Sequence, residues 1–205
     1  MKKINLKILV YTSLICLLPI VLGVFFYNQL PMQVAIHFDV NNNPDGFFSK
    51  SGFVFGMPLL MVILQVFCCI TNDLSDKNQE ANKKATRAYK WIIPILANVF
   101  YIVTIMYALG NTIDIRKVAM IILGIIFIVI GNYSPKTKGK INGLKSVNED
   151  EYKKLSRILG YLFIINGLLC FISILFNQYV SVAVVSIVIL EAIVFYIYSF
   201  NKTKK

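Results

Sequence analysis

The chain has 205 residues, of which 57% are hydrophobic and only 15% charged, and its mean hydropathy is +0.68. That leaves too little polar surface for a soluble domain of this length and places the chain among integral membrane proteins. The net charge of +11, from 21 Lys and Arg against 10 Asp and Glu, fits nucleic acid only if the basic residues gather on one face, so their distribution matters more than their total.

Residues 6–28 are the first of six stretches long enough, at roughly 17–25 residues, to cross a bilayer core as helices. The others are 53–70, 91–109, 116–133, 158–176 and 180–200. Backbone in lipid must satisfy its own hydrogen bonds, and no stretch shows the period-2 alternation of a barrel strand. The expected fold is therefore all-α, a polytopic six-helix transmembrane bundle forming one membrane domain. Its parts are an N-terminal two-helix unit (1–70) with an outer loop at 29–52, a cytoplasmic loop at 71–90, and a C-terminal four-helix unit (91–205) with a cytoplasmic loop at 134–157. The apolar run from Ile8 to Phe26 exceeds the usual signal-peptide core of about 7–15 residues and no small-x-small cleavage site follows, so it reads as an uncleaved first helix.

In the loop at 29–52, Pro44-Asp45-Gly46 predicts a tight turn, with Pro presetting φ and Gly tolerating φ > 0. Val34, Ile36 and Phe38 alternate with Ala35, His37 and Asp39, a pattern of a short extended segment against the helix ends. Phe47, Phe48 and Phe53 are candidates for burial at the interface. The alternation Asp39, Asn41, Asn43, Asp45 is like the start of a calcium loop, but that pattern needs Gly sixth and Glu twelfth, where this chain has Pro44 and Lys50. No metal is expected, and His37 reads as a hydrogen-bonded structural side chain.

Residues 72–90, with Glu80 and Lys84 at i, i+4, read as a solvated helical extension of the second and third spans. Lys83, Lys84, Arg87 and Lys90 there, with Lys136, Lys138 and Lys140 further on, suit lipid headgroups. Ser146 and Glu149 form a capping box, so a helix should start near Val147 and run unbroken into the fifth span. Cys16, Cys68, Cys69 and Cys170 fall inside spans and read as small apolar packing residues.

Polar residues inside the spans are few. Gln65, Asn98, Asn166 and Glu191 each lie about 12–14 Å above the inner boundary at the helical rise of ~1.5 Å per residue, a depth that allows one polar layer. Asn and Gln there are commonly interhelical glue, whereas an ionisable Glu191 is a functional candidate by default. The short connection at 177–179 makes the last two helices antiparallel neighbours and Asn166 a partner for Glu191. No nucleophile elbow, phosphate loop or His/Cys/carboxylate cluster occurs, so neither an enzyme nor a cofactor is expected. Glu191, with Pro19, Pro58 and Pro94 in the spans, also fits a small proton-coupled transporter or exporter, although no internal repeat of the kind such folds carry is visible.

With the N-terminus inside, eighteen of the 21 basic residues fall in inner segments, leaving Lys50, Arg116 and Lys117 outside. The positive-inside rule then puts both termini in the cytoplasm and the 29–52 loop outside. The basic residues are divided among four segments, which argues against direct nucleic-acid binding. The other outer connections, 110–115 and 177–179, are too short to build a binding surface.

The segment "LPMQVAIHFDVNNNPDGFFSK" resembles the first outer loop of the Sdp immunity (SdpI) family of bacterial membrane proteins, which has a His-Phe pair, a Pro-Asp-Gly and a following lysine; here these are His37, Phe38, Pro44, Asp45, Gly46 and Lys50. "GNYSPKTKGKINGLKS" is similar to that family's inner motif through Gly131, Asn132, Tyr133, Pro135, Lys136, Asn142, Gly143 and Lys145, with Arg157 and Gly160 at the entry to helix five. Ser146, Val147 and Asn148 stand where many members have Thr-Pro-Trp. The resemblance covers nearly the whole chain and implies a multi-pass protein of the bacterial plasma membrane. It further implies protection against a secreted peptide toxin and, in the founding system, signalling by holding a small cytoplasmic repressor at the membrane. The 29–52 loop, with Asp39 added to the residues above, is then the expected toxin-recognition element.

Overall fold

A computed structural model describes residues 4–75, 82–136 and 149–203. Six of its helices are long and apolar enough to cross a membrane: Leu6–Phe25, Gly52–Leu74, Lys83–Ala108, Ile115–Lys136, Lys153–Ser173 and Gln178–Tyr198. They coincide with the six expected stretches, with the third extended toward its N-terminus. Leu6, Val10, Leu14, Val21, Ile63, Phe67, Ile189 and Val194 are exposed along them, an apolar exterior that lipid solvates and water does not. This is the make-up of a multi-pass membrane protein.

The chain divides into two compact units, one of Met1–Leu74 with Thr86–Ile115 and the other of Ser75–Ala85 with Arg116–Lys205. The third span thus packs with the first two, whereas the sequence division grouped it with the last three.

In the first unit, α1 (Leu6–Leu17) and α2 (Pro19–Phe25) form the first span, interrupted at Leu18 by the proline. Asn5 caps α1 by accepting from the Ile8 N–H at 3.2 Å. A hairpin of β1 (Gln33–Phe38) and β2 (Pro44–Ser49) follows, so the expected all-α fold carries one small antiparallel sheet. A π-helical turn at Gly52–Gly56 leads into α3 (Met57–Ser75). After α4 (Lys83–Lys90) a break at Trp91 opens α5 (Ile92–Ala108). The unit's core, Leu30, Val34, Phe53, Val54, Tyr101 and Ile105, gathers at the hairpin end, where the Phe53 and Tyr101 rings stack with centroids 4.4 Å apart.

The second unit holds α6 (Ile115–Tyr133) from Arg116 onward, α7 (Glu149–Ser173) and α8 (Gln178–Thr203). α7 runs unbroken from Glu149 into the fifth span, as the capping pattern predicts; Ser146 itself lies outside the described residues. Helices α6 and α7 meet backbone to backbone across four glycines. A Cβ on Gly131 would lie 2.7 Å from the Gly160 carbonyl oxygen, and one on Gly167 would lie 2.8 Å from that of Gly124. Seven residues, about two helical turns, separate the glycines of each helix, so they line one antiparallel seam. At one end of the unit Arg116 donates to the Phe176 carbonyl at 3.1 Å and to the Ser181 hydroxyl at 3.2 Å, tying α6 to the α7–α8 connection.

Candidate functional site

The hairpin is built differently from the expected turn. Pro44-Asp45-Gly46 belongs to strand β2, and the reversal is at Asp39–Asn43 instead. There the Asp39 carboxylate accepts from the backbone N–H groups of Asn41 and Asn43, each at 2.8 Å, and from the Asn43 amide at 3.1 Å. Asn42 takes the left-handed conformation, φ 67°, that Asn tolerates better than most residues. The Asn43 N–H, then its side-chain amide, then Asn41 hold the Asp39 carboxyl below its ordinary range, because each donor favours the ionised form.

The register places Val34 opposite Phe48, Ala35 opposite Phe47, His37 opposite Gly46 and Phe38 opposite Pro44. Ile36 in β1 and Asp45 in β2 are therefore the extra residues of two bulges. The bulge turns Asp45 back onto His37, whose Nδ1 lies 2.5 Å from Oδ1; His37 is thus hydrogen-bonded, as its lone occurrence predicts. Gly46 is needed for space and not for a positive φ: a Cβ there would sit 2.8 Å from the Cβ of His37. The alternating acids do not converge, since Asp39 closes the reversal and Asp45 faces His37. Among the described residues no three His, Cys, Asp or Glu side chains are gathered to hold a metal.

Both ends of the hairpin are fixed. At the tip, Asn42 donates to the Ile113 carbonyl at 2.9 Å and accepts from the Ile115 N–H at 2.8 Å, so the reversal is tied to residues 113–115 of the same unit. At the base, Val34 is buried in the core, Phe38 packs edge-on to Tyr107 at 4.7 Å, and Lys50 lies over the Tyr27 ring at 5.2 Å. Phe53 is buried as expected, but Phe47 and Phe48 are exposed on β2. The result is a docked hairpin on which Phe47 and Phe48, on opposite faces of β2, and a polar His-Asp pair are exposed.

A second polar site lies at the far end of the same unit, and sequence reading missed it. Lys90, assigned to lipid headgroups from the sequence, is 1% exposed, with Nζ 2.6 Å from Asp73 Oδ1. Asp73 Oδ2 also accepts from the Asn5 N–H at 2.9 Å. The signal was available: Asp73 is the acid nearest the end of the second span and Lys90 adjoins the third, and buried charges must pair. Gln65 Nε2 contacts Thr12 Oγ1 at 2.7 Å, Cys69 Sγ at 3.2 Å and the Lys90 carbonyl at 2.9 Å, while its own Oε1 is buried without a partner among the described residues.

Of the four expected intramembrane polar residues, Gln65 and Asn98 belong to the first unit and Asn166 and Glu191 to the second. Gln65 and Asn98 engage different partners; the Asn98 amide donates to the Ile15 and Pro94 carbonyls at 3.0 and 2.8 Å. Asn166 donates to Glu191 Oε2 at 2.7 Å, the pairing that the short connection predicts. In the inner motif, Gly131 and Pro135 pack against Gly160. Lys136 donates to Asn132 Oδ1 at 2.7 Å and its Nζ lies 5.8 Å from the Tyr133 ring centre. Arg157 is exposed. Asn142, Gly143, Lys145, Lys138, Lys140 and Glu80 lie outside the described residues.

Fold and site define a multi-pass membrane protein with, among the described residues, one hairpin outside its spans. Residues 14–62 match the model of a domain of unknown function, DUF1648, a stretch that begins inside α1, contains the whole hairpin and ends in α3. No curated protein and no solved structure matches the chain.

Proposed function

We propose that this chain is an immunity protein of the bacterial plasma membrane that protects the cell against a secreted peptide toxin, with both termini cytoplasmic and the hairpin of residues 33–49 as the outward recognition surface. The supporting observation is the docking of that hairpin: Asn42 fixes its tip and Val34 its base, while Phe47, Phe48 and the His37–Asp45 pair stay accessible. A preorganised surface mixing aromatic and polar groups is what binding hot spots require. The matched domain, residues 14–62, has the hairpin at its centre. On the cytoplasmic side the same reading gives the chain a small repressor as partner, meeting the exposed Asn132, Lys136 and Arg157.

The test is survival of cells carrying His37→Ala or Phe47→Ser in a toxin-containing supernatant, after membrane abundance is shown to be normal. Both side chains are exposed, so the fold should persist; survival should fall by about tenfold or more for loss of a central contact. Full protection by both variants overturns the reading. A second reading, proton-coupled export, draws on the Asn166–Glu191 contact. Glu191→Gln removes the titratable group and distinguishes the two, since export should fail and immunity by binding should survive.

A further inference from the structure

Each span of the first unit contains one fully buried proline: Pro19, Pro58 and Pro94. A proline has no N–H, so the carbonyl four residues before it loses its helical donor. Those carbonyls are Ile15, Val54 and Lys90, and each receives a donor from a different span. The Asn98 amide reaches Ile15 O at 3.0 Å, the Tyr101 hydroxyl reaches Val54 O at 3.4 Å, and Gln65 Nε2 reaches Lys90 O at 2.9 Å. The helices are already irregular at these places, with the break at Leu18, the π turn at Gly52–Gly56 and the break at Trp91.

We propose that the three spans of the first unit form a hinged conformational device, in which Asn98, Tyr101 and Gln65 are latches over proline hinges. An ordinary helix resists bending because its own N–H groups hold each carbonyl. Here a side chain from a neighbour takes that place, at Ile15 beside the Leu18 N–H at 3.2 Å, and releasing it lets the helix bend at the proline. The hinges connect two places of different chemistry. Tyr101 stacks on Phe53 under the hairpin, whereas Gln65 lies beside the buried Asp73–Lys90 pair; Lys90 is about 25 Å along the helix from Tyr107, the hairpin's ring partner, at ~1.5 Å per residue. A displacement of the hairpin that bends α3 and α5 therefore opens the Gln65 latch and lays bare the Asp73–Lys90 charges.

Two cysteines report opening. Cys69 and Cys16 are fully buried; Cys69 touches Gln65, and Cys16 follows Ile15 in sequence. In a full chain retaining Cys69 alone, held in membranes, the rate of modification by a small permeant methanethiosulfonate measures how often the latch opens. Gln65→Leu should raise that rate about tenfold, the worth of one membrane hydrogen bond. Pro94→Ala returns an N–H to the Lys90 carbonyl, so in the Pro94→Ala background the same substitution should raise the rate by about threefold or less. An equal factor in both backgrounds overturns the proposal. If Gln65→Leu does not fold, the same comparison is made with Asn98→Leu, Pro19→Ala and a chain retaining only Cys16, and is judged by the same criterion.

Discussion

In the first unit helices meet through side chains that reach a neighbour's carbonyl or charge; in the second the backbones of α6 and α7 touch across Gly124, Gly131, Gly160 and Gly167. Lipid is as apolar as leucine, so apolar burial drives helix association weakly in a membrane, and both arrangements replace it with close contacts. They differ in what they permit. A glycine seam has no alternative arrangement short of separation, whereas a side-chain latch exchanges partners. The unit with latches is also the one that carries the hairpin and the buried ion pair.

That contrast breaks most visibly at Lys90. Lys90→Leu leaves Asp73 buried without its cation and should lower the unfolding free energy in mixed micelles by about 3–5 kcal/mol. The double variant with Asp73→Leu should recover most of the loss, because two well-packed apolar side chains replace the pair. A double variant no better than the single one would mean that the site depends on charge for a reason other than pairing.

The second unit should respond to a single methyl group. Gly131→Ala drives a Cβ into the Gly160 carbonyl and the Ile164 backbone, for an expected loss of about 1–3 kcal/mol in the same measurement. Gly56→Ala, in the first unit, meets nothing within 4 Å and serves as the near-neutral control. Equal effects at the two positions would remove the seam from the account.

The smallest effect concerns acid. The Asp39 carboxyl is held low in the folded hairpin, so its contribution to the closed reversal is complete above the ordinary carboxylate pKa of about 3.9 and is lost as pH falls through the depressed folded value. Amide protection at Asn41 and Asn43 should accordingly persist to pH 4, fade below it, and lose this dependence in Asp39→Asn.

Much of this was legible in the sequence. Span lengths follow from apolar runs, and the Asn166–Glu191 bond follows from a short connection that leaves two helices few ways to pair. The hairpin was half legible. Its strand-like alternation was visible, but Pro-Asp-Gly pointed to the wrong turn, because Asp39 gathers the N–H groups of Asn41 and Asn43 into a tighter reversal upstream. Lys90 reads as a headgroup lysine because a lysine near a helix end ordinarily reaches the headgroups; Asp73 at the end of the second span is the signal against that reading, and the fold brings the two within 2.6 Å. The glycines at 124 and 131, and at 160 and 167, carry a seven-residue signal that needs only spacing. The carbonyl freed by each proline is also predictable by counting back four residues; which neighbour supplies the donor is set by tertiary packing.

The recognition role rests on the hairpin facing away from the cytoplasm. In a chain freed of its four cysteines, Val40→Cys, at the exposed reversal, and Asp150→Cys, at the start of α7 with 97% of its side chain exposed, are treated separately with an impermeant thiol reagent on intact cells. Residue 40 should be labelled, and residue 150 should stay unlabelled until the membrane is permeabilised. Labelling at 150 with protection at 40 would contradict it.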